Sequence, residues 1–423
     1  MKRMIRLFLS MLILIWVGFG VVSQTDEQTS LSDLLIKAQG ALLRDDIETA
    51  QLAITSANAL ITPELIETCS ALSFVKALLD QATTTTDVIL LNDLVMNSQT
   101  LVLSCDIQGL SKDDIQTYLT DIQTNTEAIR INETDESAYM SRGLAYYHLG
   151  DFTRALADFE QVIFLNPTNK RGFYNRALAY YELREYELSI ADYSQAIQLD
   201  PEYTFAYNNR GLGYYQLGEY ELALADYTKA LELDPNDYEV YNNRGLVYYE
   251  TADYVSALAD FDESIRLNPD YIKAHNNRGV TFFSLEEYEK AIADFDYSLT
   301  LDPQNIFAYR NRGHAYRRLE NYEQAIADLS EAINLGDTDP FTYVNRGLAY
   351  YYIDEDELAI VDYTTALTLD STYRSAYMNR ALAHAYIGNT AEASADLVSY
   401  VELGGVISDD NRDYFEGLGV TVP

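Results

Sequence analysis

The sequence predicts an all-α fold built as a stack of helical hairpins, and three observations carry that expectation. Arginine recurs at a fixed interval of 34 residues, at Arg142, Arg176, Arg210, Arg244, Arg278, Arg312, Arg346 and Arg380. A period of this length with helical patterning is the spacing of stacked two-helix units, each too small to bury a core alone. Small residues return at two fixed places in every period, and 34 of the 36 tyrosines fall between Tyr139 and Tyr400. The aromatic core therefore belongs to the periodic segment. The chain divides into an export segment (1–23), a helical N-terminal domain (24–135), eight repeats (136–407) and a C-terminal capping helix (408–423).

The elements follow in order. Lys2, Arg3 and Arg6 precede an uncharged apolar run from Leu7 to Val22, the pattern of a secretory signal. Sixteen helical residues span about 24 Å against a hydrocarbon core of about 30 Å, which favours cleavage near Val21 or Ser23. Membrane anchoring by an uncleaved 7–22 segment stands as the alternative. From Leu31 to about Thr83 apolar residues recur at helical spacing, with Ser32-Asp33 and Thr62-Pro63 as start signals. A loop at 83–86 and a helix at 88–103 follow. Ser111 then opens a helix to Ile131 that reads as a degenerate half-repeat covering the first true one. Cys69 and Cys105 lie in this region, with two readings open: a disulfide in an oxidising compartment, or two buried thiols.

Numbering the repeat from Thr204 as position 1, position 8 is glycine or alanine throughout and position 20 is alanine or serine. Small residues there let the two helices approach, while large residues at positions 4, 11 and 24 fill the space between hairpins. Position 16 is acidic in six repeats and asparagine in two, suited to capping the second helix and to its dipole. Pro167, Pro201, Pro235, Pro269 and Pro303 close five repeats, because proline cannot continue a helix. After repeats six, seven and eight stand Gly336-Asp337, Ser371 and Gly404-Gly405 instead, where the junction angle is expected to differ. Tyr414, Phe415 and Leu418 are placed to cover the exposed end of the stack.

These residues resemble the tetratricopeptide repeat: aromatic at 4, Gly or Ala at 8, Tyr at 11, Ala at 20, aromatic at 24 and Pro at 32. The resemblance covers residues 136 to 407 and implies a right-handed alpha-alpha superhelix with a concave binding groove. One departure is systematic, since arginine occupies position 7, where the family usually has leucine.

Bulk composition narrows the function. With 66 acidic against 29 basic residues the formal charge is -37, which repels phosphate backbones and argues against nucleic acid as partner. The four histidines occupy four different repeat positions, so no metal site is read, and no phosphate loop, HExxH or nucleophile elbow is present. No cofactor and no enzyme activity are expected.

Three sets of repeated residues carry candidate roles. Position 23 is aspartate in every repeat and lies level with the arginine in an antiparallel hairpin. Structural ion pairs are therefore expected, as between Arg210 and Asp226, Arg244 and Asp260, and Arg278 and Asp294. Position 6 is Asn175, Asn209, Asn243, Asn277, Asn311, Asn345 and Asn379, although asparagine is a mediocre helix former. The array resembles that of O-linked N-acetylglucosamine transferase, and that resemblance implies an asparagine ladder holding peptide backbones, with Tyr215 and Tyr249 beside it. The alternative is that each asparagine bonds its own array. Arg310, His314, Arg317 and Arg318 share one helical face of repeat six, bordered by Lys273, and form a candidate site for carboxylates or acidic peptides. The expected function is an exported scaffold binding extended segments of other proteins, with a carbohydrate-binding surface protein as the alternative.

Overall fold

The computed structural model describes residues 31–42, 47–61, 71–82, 98 and 111–423. The apolar run 7–22, both cysteines, Thr62-Pro63, the 83–86 loop and all but one residue of the 88–103 helix lie outside them. Every regular element among the described residues is an α-helix. The chain falls into two compact units, residues 1–167 and 168–423.

The first unit contains helices Leu31–Leu42, Ile47–Leu60 and Ala71–Ala82, then Lys112–Ile131 and the first periodic hairpin, Glu136–His148 with Phe152–Leu165. Ser111 and Asp114 form a capping box at the start of Lys112–Ile131, satisfying two orphan backbone donors reciprocally. Thr126 in that helix accepts from Arg142 Nη1, sixteen residues on. The second unit holds repeats two to eight as an all-α superhelical array, from Lys170–Glu182 to Thr390–Glu402, and the terminal helix Asp409–Gly417. Phe415 and Val420 bury themselves against Ala381, Ala385, Ala393 and Leu397 of repeat eight. The last hairpin is thereby covered.

Within each hairpin the small residues do what their size permits. A Cβ added to Gly245 would lie 2.7 Å from the Phe261 ring, and one on Gly347 would lie 2.7 Å from Tyr363. The ring at position 24 thus lies directly over position 8 of its partner helix. In repeat two, where alanine stands at position 8, Ser189 Oγ at position 20 donates to the Ala177 carbonyl at 2.8 Å. The turn between helices places position 15 in the left-handed region in all eight repeats: Gly150, Gly218 and Gly388, but also Arg184, Ala252, Glu286, Glu320 and Asp354 with φ of 59–61°. For an L-residue this conformation costs roughly 1–2 kcal/mol, more than the entropy that glycine would add to the unfolded chain. Ala252→Gly is therefore expected to raise the unfolding free energy by about 0.5 kcal/mol or more, read as a slightly higher urea midpoint; a fall would show that this turn carries no strain.

Position 16 departs from its expected capping role. Asp151 and Asp253 accept from the backbone N–H groups of Arg154 and Ser256. Glu185, Glu219, Glu287 and Glu355 make no side-chain cap bond, nor do Asn321 and Asn389. The glutamate carboxylate is one methylene further from its own backbone, so only its charge serves the helix N-terminus.

Candidate functional site

The repeated arginine is the most heavily bonded side chain of the array. In every repeat its Nε and Nη2 fork onto the two oxygens of the position-23 aspartate sixteen residues later, as Arg244 does with Asp260 at 2.8 Å for both bonds. Arg210 and Arg278 fork in the same way onto Asp226 and Asp294. The remaining nitrogen, Nη1, reaches back to position 25 of the preceding repeat: Ser194 for Arg210, Thr228 for Arg244, Asp262 for Arg278, Asp296 for Arg312, Ser330 for Arg346 and Thr364 for Arg380. Rings at positions 4 and 11 flank the cation, Tyr241 and Tyr248 lying 5.7 and 6.0 Å from the Arg244 guanidinium carbon. The Asp260 hydrogen bond holds the Arg244 pKa above its ordinary value against the opposing effect of burial. One side chain therefore joins the two helices of its hairpin and ties that hairpin to the one before. Thr126 gives Arg142 the same contact, so helix Lys112–Ile131 stands where a preceding second helix would.

The asparagines at position 6 form a seam between successive first helices. Asn209 Nδ2 donates to Tyr174 Oη at 2.8 Å, Asn243 Nδ2 to Asn208 Oδ1 at 3.1 Å, and Asn277 Nδ2 to Asn242 Oδ1 at 2.8 Å. Each acceptor is position 5 of the preceding repeat. Asn242 Nδ2 in turn donates to Asn243 Oδ1 at 3.4 Å. The seam ends after repeat five: Asn311 and Asn345 donate instead to their own helix, at the Phe307 and Phe341 carbonyls. Position 5 of the preceding repeat is Arg310 for Asn345 and Val344 for Asn379, which offer no acceptor, whereas Asn276, the counterpart of Asn311, has a buried Oδ1 left unbonded among the described residues. Asn379 has no side-chain hydrogen bond among the described residues, and Asn175 holds the same position in repeat two. One donor of most of these amides is thus engaged internally, while the Oδ1 atoms of Asn209, Asn277 and Asn311 accept nothing among the described residues.

A second seam, absent from the sequence reading, runs between positions 12 and 13. Gln216 Nε2 donates to Tyr181 Oη at 3.3 Å, Tyr215 Oη to Glu250 Oε1 at 3.4 Å, and Tyr249 Oη pairs with Ser284 Oγ at 3.0 Å. Burial, and then Glu250, push the Tyr215 pKa up to about 12. The rings of Tyr215 and Tyr249 also meet Tyr220 and Tyr254 across the turn of their own hairpins. The available signal was the run of hydrogen-bonding residues at position 13 next to each tyrosine.

The basic face of repeat six does not act as a unit. Arg310 forks onto Asp337 at 2.8 and 2.6 Å and bonds Asp339 through Nη1, so two carboxylates offset its charge and it is removed from the candidate clamp. Asp337 also accepts from Thr342 Oγ1 and the Asp339 N–H, organising the junction that lacks a proline. Burial would raise the Asp337 pKa, but these bonds outweigh it and hold it below the usual range. His314 occupies the position where most repeats have leucine and packs against Phe283 and Phe341 at ring separations of 4.4 and 4.9 Å. Burial, then the charges of Arg317 and Arg318, push its pKa down to about 3, so it is neutral at ordinary pH and contributes no cation. Arg318 lies over the Tyr288 ring and 3.5 Å from Glu286. Arg317 donates through Nε to Asn345 Oδ1 at 2.9 Å. Lys273 is exposed and forms no ion pair among the described residues.

Models of the tetratricopeptide repeat match residues 140–204, 238–271 and 272–305, and a further TPR repeat model matches 213–251 and 313–354. No curated protein matches the chain. Among solved structures, the Cut9–Hcn1 hetero-tetramer of the APC/C aligns over 84% of this chain and 76% of its own, at 18% identity and a TM-score of 0.50. A tetratricopeptide repeat protein from Parabacteroides merdae ATCC 43184 aligns over 59% of this chain and 98% of its own, at 21% identity and a TM-score of 0.48. YrrB, described as a TPR protein with an unusual peptide-binding site, aligns over 46% of this chain and 97% of its own, at 23% identity and a TM-score of 0.37. At these identities the likeness concerns the fold alone.

Proposed function

Given that the chain is a tetratricopeptide-repeat protein with many tandem repeats, a fold that serves as a protein–protein interaction scaffold, we propose that it binds extended segments of other proteins along its inner groove, outside the cytoplasm. The observation that carries this reading is the set of carboxamide oxygens at Asn209, Asn277 and Asn311, on the first helices of repeats three, five and six, which accept from no group among the described residues. They would accept from a ligand's backbone N–H groups, and the position-12 tyrosines of the array, such as Tyr215 and Tyr249, would hold its side chains. One N–H of each of these amides is already engaged, in the seam for Asn209 and Asn277 and on its own helix for Asn311. Export rests on the charged and apolar pattern of residues 1–22, with anchoring by 7–22 as its variant.

A second reading, carbohydrate binding, is favoured by Tyr322 and Tyr352, whose rings stack at 5.1 Å and 15° with Tyr352 55% exposed. Such a platform suits a sugar ring as well as a peptide side chain.

Partner capture from the extracytoplasmic fraction separates these readings. The full chain is compared with an Asn209→Ala, Asn277→Ala, Asn311→Ala variant shown by melting to be folded. Loss of protein partners from the variant is expected; an identical catch would remove the ladder from the binding surface, and glycans alone would establish the second reading.

A further inference from the structure

We infer that Tyr215, Tyr220 and Glu250 form a socket for one cationic side chain of the bound segment, the guanidinium of an arginine or the ammonium of a lysine. This socket deepens the groove reading above, on which it rests, by naming the chemistry that these tyrosines take. The chain carries its own example of such a seat. In repeats two to five the ring at position 12 leans on the ring at position 17 across the hairpin turn. The centroids are 5.4 Å apart for Tyr181 with Tyr186, 5.9 Å for Tyr215 with Tyr220, 5.6 Å for Tyr249 with Tyr254 and 5.2 Å for Phe283 with Tyr288. Position 13 of the following repeat stands beside each pair: Gln216, Glu250 and Ser284 bond the position-12 hydroxyls of the first three.

At the fourth pair that residue is Arg318. Its guanidinium carbon lies 5.9 Å from the Phe283 centroid and 5.0 Å from the Tyr288 centroid, and its Nη2 is 3.5 Å from Glu286 Oε1. A cation on two rings beside a carboxylate is thus how this chain fills the place when it supplies the occupant itself. Repeat three keeps the rings and a carboxylate but not the cation. Glu250 stands where Arg318 stands two repeats later, and its Oε1 accepts from Tyr215 Oη at 3.4 Å. Among the described residues Glu250 forms no ion pair, while Gln216 and Ser284 bring no charge to the other two pairs. Tyr215 and Tyr220 are partly exposed and Glu250 is exposed, so a ligand reaches all three from water.

A ring face attracts a positive group through its quadrupole, and a carboxylate at the rim supplies the countercharge. An anion would be repelled by Glu250 and by a chain of formal charge -37. A neutral side chain would gain the rings but not the carboxylate. The three groups together therefore select a cation, and the long apolar stem of lysine or arginine suits the approach along the ring edges.

The test uses N-acetylarginine amide and N-acetyllysine amide as the cations, with N-acetylcitrulline amide as the neutral analogue of the first. Each is titrated into the full chain at fixed ionic strength while the ring resonances of Tyr215 and Tyr220 are followed by NMR. Saturable shifts are expected for at least one cation, and the tighter of the two names the side chain. Tyr220→Leu, read at Tyr215, should weaken binding roughly two- to fivefold, the share of one ring. Glu250→Arg seats a guanidinium as Arg318 does and should abolish the response. Glu202→Arg makes the same change of charge before the opposite end of helix Thr204–Gln216 and should leave the response intact. Glu250 and Glu202 are both exposed, so both variants should keep the parent's fold, which melting verifies. The socket is overturned by no saturable shift in the parent, by citrulline amide binding as tightly as arginine amide, by parent-like binding in Glu250→Arg, by an equal loss in Glu202→Arg, or by unchanged affinity in Tyr220→Leu. Single amino-acid amides do not require the asparagine ladder, so this outcome and that of partner capture are independent.

Discussion

Arg244→Met is expected to lower the stability of the array by about 3–5 kcal/mol, read as a fall in the urea midpoint with little change in slope. The substitution keeps the aliphatic stem between Tyr241 and Tyr248 but leaves Asp260, only 6% exposed, as an unpaired buried carboxylate. It also cuts the Nη1 bond to Thr228, the tie to repeat three. Because each hairpin of such an array contacts only its neighbours, the loss should appear first as local opening around repeat four, with amide exchange accelerated in Tyr238–Glu250 and Tyr254–Leu267. Arg244→Met with Asp260→Leu removes both charges and should recover most of the loss, since a buried pair is worth little more than apolar residues of the same volume. A single variant with the parent's midpoint would mean that the fork is idle.

The same arginine shows which parts of the molecule its sequence makes legible. Residues 7 and 23 of one repeat are level across one hairpin turn, so their meeting follows from the period and from helix geometry alone. The contact from Nη1 to position 25 depends on how one repeat sits on the next, and nothing local specifies it. Identical residues at position 6 likewise end in different bonds, because the acceptor for Asn277 is Asn242 while Asn345 would need one at Arg310. For Asn345 the missing acceptor one repeat earlier turns the amide onto its own helix, while Asn311 does the same although Asn276 stands at that place. Arg310 had a visible clue: the proline missing after repeat six coincides with Asp337, the carboxylate it binds. Charge alone suits the glutamates at position 16 to a helix N-terminus, and their extra methylene defeats the capping bond.

His314→Leu is expected to remove a pH dependence that the parent owes to one side chain. Seen from the unfolded chain, where histidine titrates near 6.5, the folded pKa of about 3 is depressed, chiefly by burial against Phe283 and Phe341 and then by the Arg317 and Arg318 charges. Below 6.5 the unfolded state takes up a proton that the folded state refuses. The contribution to stability is thus present above pH 6.5 and is lost progressively as pH falls towards 3. Each unit is worth about 1.4 kcal/mol, so between pH 7 and pH 5 the parent should lose about 2 kcal/mol through this residue alone. Leucine stands at this position in six of the eight repeats, so the variant should pack well. Its urea midpoint should exceed the parent's at pH 5 by more than at pH 7, and melting curves at both pH values measure the difference. A constant gap would place the histidine in contact with water in the folded state, and the aromatic enclosure between Phe283 and Phe341 would then be open.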